Sequence, residues 1–170
     1  SKKTFESRIQ SAETDFQVDV RTHKYNHLLK YIDLINQLSE LLADDEKLVI
    51  RPHPGENIDD WKMITKNLRN IYIERESDIY PWILGADGIV QYGSTTSVQA
   101  SLKGFNCITY KIERKEGLTN TPSFELCQDA NSPEEVYNML IKNKKSKDQL
   151  SIFIAKEYLK KEMDFDDNKL

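Results

Sequence analysis

The chain has 170 residues, a length that suits one domain with a sizeable core and does not require two. Its charged fraction of 31% and hydrophobic fraction of 38% are those of an ordinary globular protein. A net charge of −4 argues against a nucleic-acid partner held by phosphate neutralisation. No apolar run approaches the roughly 20 residues that cross a bilayer, so we expect no transmembrane segment.

Two features bear on the protein's location and on its completeness. Cys107 and Cys127 show neither metal-ligand spacing nor a disulfide framework, which favours reduced thiols and a cytoplasmic protein. The chain does not begin with Met, and residues 1–25 are polar with little periodicity. We interpret this N-terminal segment as the continuation of a missing N-terminal domain, and the chain as part of a longer protein.

The first periodic stretch predicts a helix. Apolar residues recur at three- and four-residue spacing from Asn26 to Ala43, as on an amphipathic helix. Lys47–Arg51 then predicts a short buried strand that Pro52 closes. Asn57 is placed to cap a second helix, with the following residues on its inner face: Trp61, Ile64 and Leu68.

The middle of the chain alternates short β-rich stretches with helical ones. In order, we expect a strand at 70–74, a helix capped by Ser77 that ends near Gly85, a strand at 88–92, a helix at 94–104 and a strand at 107–112. A long loop should follow, to about Pro122.

The last third is predicted to be helical. Ser132 and Glu135 form a capping box that starts a helix at 133–143, and a second helix is expected at 147–163. An acidic tail, residues 164–170, ends the chain. The segment 26–163 is therefore predicted to be one domain.

Strands that alternate with helices predict a Rossmann-like α/β fold, with a parallel sheet and helices on both faces. In such sheets, ligands bind outside the carboxyl ends of the strands. Two loops with unusual composition leave carboxyl ends here: "RPHPGEN" after the strand at 47–51, and "YGSTTS" after the strand at 88–92. We therefore expect both loops at one rim of the sheet.

The stretch Gly93-Ser94-Thr95-Thr96-Ser97 stands where a predicted strand passes into a predicted helix. A helix N-terminus offers free N–H groups and the positive end of the helix dipole, and glycine lets a phosphate approach the backbone. One hydroxyl suffices for capping, whereas four in succession exceed that need. The run therefore predicts a phosphate site, although it lacks the Lys-Ser/Thr end of a P-loop.

His53 lies between Pro52 and Pro54, neither of which can donate a backbone hydrogen bond. The prolines fix the backbone and so limit where the imidazole can point. We interpret His53 as a ligand of a phosphate or a leaving group rather than as a residue that satisfies a strand-end carbonyl. Arg51 and Glu56 are accessory candidates, although each also fits a solvated or ion-paired position.

Two further groups of residues are candidate ligands. His23 and His27 stand four residues apart, but a metal site needs a third ligand, and the sequence offers none at suitable spacing, so we predict neither a metal nor a cofactor. The long loop carries basic residues that are either solvated or placed over the phosphate site, with three polar residues behind them: Lys111, Arg114 and Lys115, then Thr119, Asn120 and Thr121.

The order of these motifs resembles the C-terminal domain of bacterial glycosyltransferases of GT-B fold that synthesise capsules and other surface polysaccharides. The resemblance covers about residues 26–145 and includes "RPHP", "SDIYPWILGAD" and "GSTTSVQASLKGFNCITY". Related His-Pro and Ser/Thr motifs occur in bacterial sialyltransferases, capsule Kdo-transferases and CDP-glycerol-type polymerases. There they hold the phosphate of a nucleotide-activated sugar.

The resemblance implies that the donor phosphate is bound by His53 and Pro54 and by Ser94, Thr95 and Thr96. Its implied partners are a CMP-, CDP- or UDP-linked sugar and a saccharide or lipid-linked acceptor. The acceptor site and catalytic base would lie on the missing N-terminal domain, so this chain alone would bind donor without transfer. The complete protein would work in the cytoplasm, or at the inner face of the membrane.

One departure from the family pattern concerns Gln99, which precedes Ala100 where several relatives have an acidic residue. Two alternatives therefore stay open. One is a sugar-nucleotide epimerase of the same GT-B architecture, and the other is a noncatalytic interaction domain that retains the fold.

Overall fold

The computed structural model describes residues 15–116, 118–119 and 121–142. Within them, helices and short strands alternate along most of the chain. The elements are α1 (Asp15–Leu41), β1 (Leu48–Ile50), α2 (Ile58–Thr65), β2 (Ile71–Ile73), α3 (Ile79–Gly85), β3 (Ile89–Val90), α4 (Thr95–Leu102), β4 (Cys107–Tyr110), α5 (Pro122–Glu125), β5 (Gln128–Ala130) and α6 (Pro133–Lys142).

The strands pair in parallel, as the alternating pattern predicted. β1 pairs with β2, and β4 pairs with β3 on one side and with β5 on the other. The strands form two small sheets rather than the single sheet that was expected. β3 is the edge strand next to β4 and is only two residues long. It therefore offers few backbone groups to a further strand on its other side.

The core shows that β4 is covered on both faces. Ile108 and Tyr110 belong to a cluster with residues of α1 and α6, whereas Cys107 packs with Ile83 of α3 and Ala100 of α4. Because side chains alternate between the faces of a strand, these two clusters lie on opposite sides of the three-stranded sheet. Leu48 of β1 and Val90 of β3 pack against the first cluster, so both sheets share one core.

Helix α1 begins earlier than its periodicity indicated. It starts at Asp15 instead of Asn26, so the described part of the segment 1–25 is helical. The aliphatic pattern weakens here because His23, and His27 just beyond this part, occupy buried positions of the helix. A search for apolar periodicity does not detect buried positions that are occupied by histidine.

Most helix boundaries agree with the sequence, but one cap does not. Asn57 caps α2 by accepting the Asp59 N–H at 3.0 Å, as predicted. The expected cap of α3 is wrong, because Asp78, not Ser77, accepts the Tyr80 N–H. The Ser77 hydroxyl is engaged elsewhere, since it accepts hydrogen bonds from Arg51 and from the Trp82 indole.

Two unexpected elements, α5 and β5, follow the predicted long loop and precede the helix expected at 133–143. Both are short, and β5 buries only Ala130, so neither leaves a periodic signal in the sequence. The capping interaction of Ser132 with the Glu135 N–H at the start of α6 is present, at 3.1 Å. The helix expected at 147–163 and the tail 164–170 lie outside the described residues.

Two inner-face assignments on α2 differ from expectation, the first because Leu68 lies beyond the helix, which ends at Thr65. Trp61 is buried as predicted, but Ile64 is 39% exposed.

Among the described helices, none combines the length and the apolar character that spanning a bilayer requires.

Candidate functional site

Residues 91–97, here called the glycine turn, follow β3 at the carboxyl end of a parallel strand and include the first residues of α4. Gly93 has φ of +64°, in the left-handed region that side chains disfavour. A Cβ added there would lie 3.1 and 3.2 Å from two ring atoms of Phe124. Backbone conformation and space therefore both require glycine at this position.

Gln91 holds the glycine turn in place through buried hydrogen bonds. It is buried, donates from Nε2 to the Ser123 carbonyl at 2.7 Å and to Cys127 Sγ at 3.1 Å, and accepts the Ser94 N–H on Oε1 at 2.7 Å. The amide thus links β3, the start of α4 and the short helix α5. This role was not predicted from the sequence, although a glutamine within a predicted apolar strand indicates a buried hydrogen-bonding position.

The hydroxyls of the turn divide into two kinds. Ser94 is the N-cap of α4, with Oγ accepting the Thr96 N–H at 3.2 Å. Ser97 is fully buried and donates to the carbonyls of Ser94 and Ser123, at 2.7 and 3.0 Å. In the described part of the chain, the Thr95 and Thr96 hydroxyls and the Thr95 amide have no hydrogen-bond partner. Those three groups remain available to a ligand.

His53 lies in the loop 51–57, here called the histidine loop, which follows β1. Its ring is exposed, and Nδ1 accepts the Gly55 N–H at 3.0 Å. The Glu56 carboxylate accepts the His53 N–H at 2.9 Å and the Trp61 indole N–H at 3.2 Å. Glu56 therefore shapes the loop, and the imidazole presents Nε2 to the outside. Pro54 is exposed beside it.

Arg51 clamps the loop before α3. Its guanidinium is half-buried, donates to the Ser77 hydroxyl at 3.1 Å and to the Ser77 carbonyl at 2.5 Å, and lies 3.9 Å from the Glu74 carboxylate. Such contacts hold the segment after β2 against the end of β1. They give the side chain a structural role.

Two basic residues of the loop after β4 line an open cavity of about 310 Å³, together with Glu116, Thr119 and Glu125. Arg114 donates from Nη2 to both carboxylate oxygens of Asp129, at 2.7 and 2.9 Å, and Lys115 pairs with Asp19 at 2.8 Å. Both cations are thus already paired within the protein, and exposed pairs of this kind are weak. A ligand anion would compete with them.

Lys111 stands at the start of this loop, in the left-handed region with φ of +43°. Its ammonium lies 5.1 Å from the centre of the Tyr110 ring. The interaction with Tyr110 raises the pKa of Lys111, so the exposed side chain is a cation at neutral pH. Of the expected basic residues, Lys111 has no described carboxylate partner within ion-pair distance. Asn120, which was expected behind these cations, lies outside the described residues.

A histidine cluster lies beside the glycine turn. The rings of His23 and His27 meet edge to face with centroids 4.6 Å apart, and His27 stacks on Tyr92 at 4.7 Å. Burial lowers the pKa of His27 to about 4, and the neighbouring Lys30 adds to this effect. Burial also lowers the pKa of His23, so both imidazoles are neutral at neutral pH.

The structure shows direct contacts within one group of the described site residues, but not between that group and His53. The glycine turn, α5 and the histidine cluster are in direct contact, since Tyr92 stacks on His27 and also meets Phe124 edge to face at 5.4 Å. The histidine loop follows a strand of the other sheet. That His53 shares one crevice with residues 94–97 stays a prediction.

Comparison of the chain with protein-family models, with curated proteins and with solved structures found no match.

Proposed function

We propose that the glycine turn binds the phosphate of a nucleotide-activated sugar, and that the chain is the Rossmann-like donor-binding domain of a GT-B glycosyltransferase in surface-polysaccharide synthesis. One observation carries the proposal: Gly93 turns the chain, in a left-handed conformation, from the carboxyl end of a parallel strand into the N-terminus of an eight-residue helix. Ligand phosphates favour this place in α/β folds because helix amides and the helix dipole meet there.

The unpartnered groups of the turn give the proposed contact its chemistry. The Thr95 amide and the two threonine hydroxyls can donate three hydrogen bonds to phosphate oxygens. Ser94 and Ser97 contribute indirectly, because their hydroxyls hold the helix start in place. Binding would thus use a platform whose geometry is set before the ligand arrives.

In this proposal, His53 supplies a second contact from the histidine loop. The exposed Nε2 carries the ring proton when Nδ1 accepts the Gly55 N–H, so a neutral imidazole can donate to a phosphate oxygen. Such a donor would stabilise the charge that grows on the leaving phosphate during transfer. Pro54 would restrict the loop, while Arg51 and Glu56 would act through its shape.

A second candidate is a noncatalytic interaction domain. It is favoured by the number of expected ligand groups that serve internal contacts, among them Arg51, Glu56, Ser97, Arg114 and Lys115. A degenerate scaffold of this kind would keep its fold and would not respond to nucleotides.

Thermal unfolding in the presence of CMP, CDP and UDP separates the two candidates, because a ligand of the folded state raises the melting temperature. We expect at least one pyrimidine nucleotide to stabilise the wild type. The double variant Thr95→Val/Thr96→Val should keep the melting temperature of the free protein, since both hydroxyls lack internal partners. It should bind about tenfold or more weakly, because it loses donors to a charged ligand.

The control for this experiment is Thr65→Val on α2, which removes a hydroxyl that is bonded to the Trp61 carbonyl at 2.9 Å and lies outside the glycine turn. It should lower stability without changing the nucleotide response. If no nucleotide stabilises the wild type, the interaction-domain candidate stands and the donor-site proposal fails.

A further inference from the structure

His23 and His27 gain a third potential ligand in the folded chain. One ring nitrogen of each histidine and one carboxylate oxygen of Glu113 lie within 4.8 Å of one another. The histidines share one face of α1 because they are four residues apart, and Glu113 comes from the loop after β4. No spacing rule could have joined residues so distant along the chain.

Two nitrogens of this cluster are buried without a partner in the described structure. His23 is 8% exposed and its Nε2 has no hydrogen bond, and His27 is fully buried with an unpartnered Nδ1. An unsatisfied buried polar atom destabilises a folded protein, so two in one place call for an explanation. His27 Nε2 is also weakly engaged, because the Glu113 N–H approaches it only to 3.5 Å.

The donor set indicates which ligand would satisfy these atoms. Two imidazoles and a carboxylate are a zinc ligand set, and Zn²⁺ holds such atoms at about 2.0–2.2 Å. Tetrahedral ligand atoms are then roughly 3.3–3.6 Å apart, so the cluster must contract by about 1 Å. The Glu113 side chain can supply this movement, since it is 70% exposed and contacts Lys30 only at 3.9 Å.

We propose that His23, His27 and Glu113 bind one divalent transition-metal ion, with Zn²⁺ the best match to the ligands. The ion joins α1 to the loop after β4 and leaves a fourth position for water. Lys30 is the competitor of the ion, because it pairs with the same carboxylate. This site is separate from the proposed phosphate contact and does not depend on it.

The test measures Zn²⁺ binding to the full chain by equilibrium dialysis and by the melting temperature in Zn²⁺ against a chelator. The wild type should bind one ion per chain and melt higher with the metal. Glu113→Gln should weaken binding about tenfold or more, and it should fold normally in chelator because this carboxylate is exposed. His23→Gln should have at least the same effect on binding.

Two matched variants exclude other sites. Glu116→Gln removes an exposed carboxylate of the same loop, and His53→Gln removes the remaining histidine of the chain. Neither should change zinc affinity more than about twofold. Should His23→Gln fail to fold, Glu113→Gln decides alone.

Cobalt(II) gives an independent signature. It should produce the visible absorption of a tetrahedral nitrogen and oxygen site without a thiolate charge-transfer band from Cys107 or Cys127. The proposal is overturned if the wild type binds no zinc, if Glu113→Gln binds as tightly as the wild type, if His53→Gln removes binding, or if the thiolate band appears.

Discussion

The two loops proposed to bind the donor differ in how the protein holds them. The glycine turn is fixed by contacts from far along the sequence, since Gln91 and Ser97 both bond to the Ser123 carbonyl. The residues around His53 are held by nearby groups, through the bonds of Glu56 to the His53 N–H and to Trp61. Arg51 and Arg75 tie the ends of the histidine loop to the segment after β2. One loop belongs to the buried core, and the other to the surface.

This difference separates two requirements of a binding site. A phosphate platform works best when its donors are preorganised by packing and by buried hydrogen bonds. A loop held by local contacts opens at low free-energy cost, so it can adjust to the ligand. We therefore expect substitutions of the packed residues of the glycine turn, such as Gln91 and Gly93, to affect folding, and those in the histidine loop to affect chiefly the position of His53.

The largest effect is expected for Gln91→Leu. The substitution leaves the Ser94 N–H without its acceptor and the Ser123 carbonyl with one donor fewer, so stability should fall by about 2–4 kcal/mol. Urea unfolding measures the change. Gln99→Leu is the matched control, because Gln99 is exposed on α4, and it should cost less than about 0.5 kcal/mol. Equal losses in both variants would contradict the contrast between the loops.

A pair of glycine variants compares the loops directly. Gly93→Ala places a side chain at φ of +64° and against Phe124, and should cost about 1–3 kcal/mol. Gly55→Ala meets only the exposed His53 ring, with Nδ1 at 3.3 Å, and should cost about 0.5 kcal/mol or less. Chemical denaturation of both proteins checks this order, and a larger loss for Gly55→Ala would reverse our assignment of rigidity.

Glu56→Ala should have an intermediate effect on stability, about 1 kcal/mol, because it removes the acceptor for the His53 N–H and the Trp61 indole. Its more specific result should be a change in the His53 ring environment, which NMR of the imidazole protons reports. Glu76→Ala is the control, since that exposed carboxylate pairs only with its neighbour Arg75 among described side chains. An unchanged His53 spectrum in Glu56→Ala would remove the shaping role.

The smallest effect concerns Asp129 of β5, which pairs with Arg114 of the loop after β4. Partial burial alone would raise the pKa of Asp129, but the bonds from Arg114 and Thr109 hold this pKa below its usual value. The carboxylate therefore stabilises the fold above the unfolded pKa of about 3.9, and this contribution is lost as the pH falls through the folded pKa.

Asp129→Asn should accordingly lower stability by only about 0.2–1 kcal/mol at neutral pH, because the pair is about half exposed. The difference from the wild type should shrink as the pH falls below about 4. Unfolding curves measured across this range check the sign. A difference that grows in acid would mean that the pKa is raised instead.

Much of the fold was predictable because local signals and packing agree. The strands expected at 70–74 and 107–112 are present at Ile71–Ile73 and Cys107–Tyr110, both rich in β-branched and aromatic residues, and every residue of the second strand is buried. It was not predictable that β1 and β3 belong to different sheets, because the choice of pairing partners among strands depends on the tertiary arrangement. Neither was β5, in which two of three residues are exposed.

In the candidate site, too, the features set by neighbouring residues were predictable, and those set by long-range contacts were not. The helix start after Gly93 follows from local chemistry and is present as expected, with Ser94 as the N-cap. The burial of Ser97 and the support from Phe124 depend on α5, which the sequence did not reveal. Glu113 reaches His23 and His27 only through the folded chain, so that cluster was beyond prediction.

The most direct measurement of the donor-site proposal is a nucleotide titration followed by the backbone amide resonances of the chain. We predict that CMP, CDP or UDP shifts the Thr95 amide and its neighbours from Gly93 to Ser97 more than the rest of α4. The His53 imidazole should respond over the same concentration range. Saturating nucleotide that leaves the Gly93–Ser97 amides unchanged, or that shifts resonances only elsewhere, would contradict the proposed site.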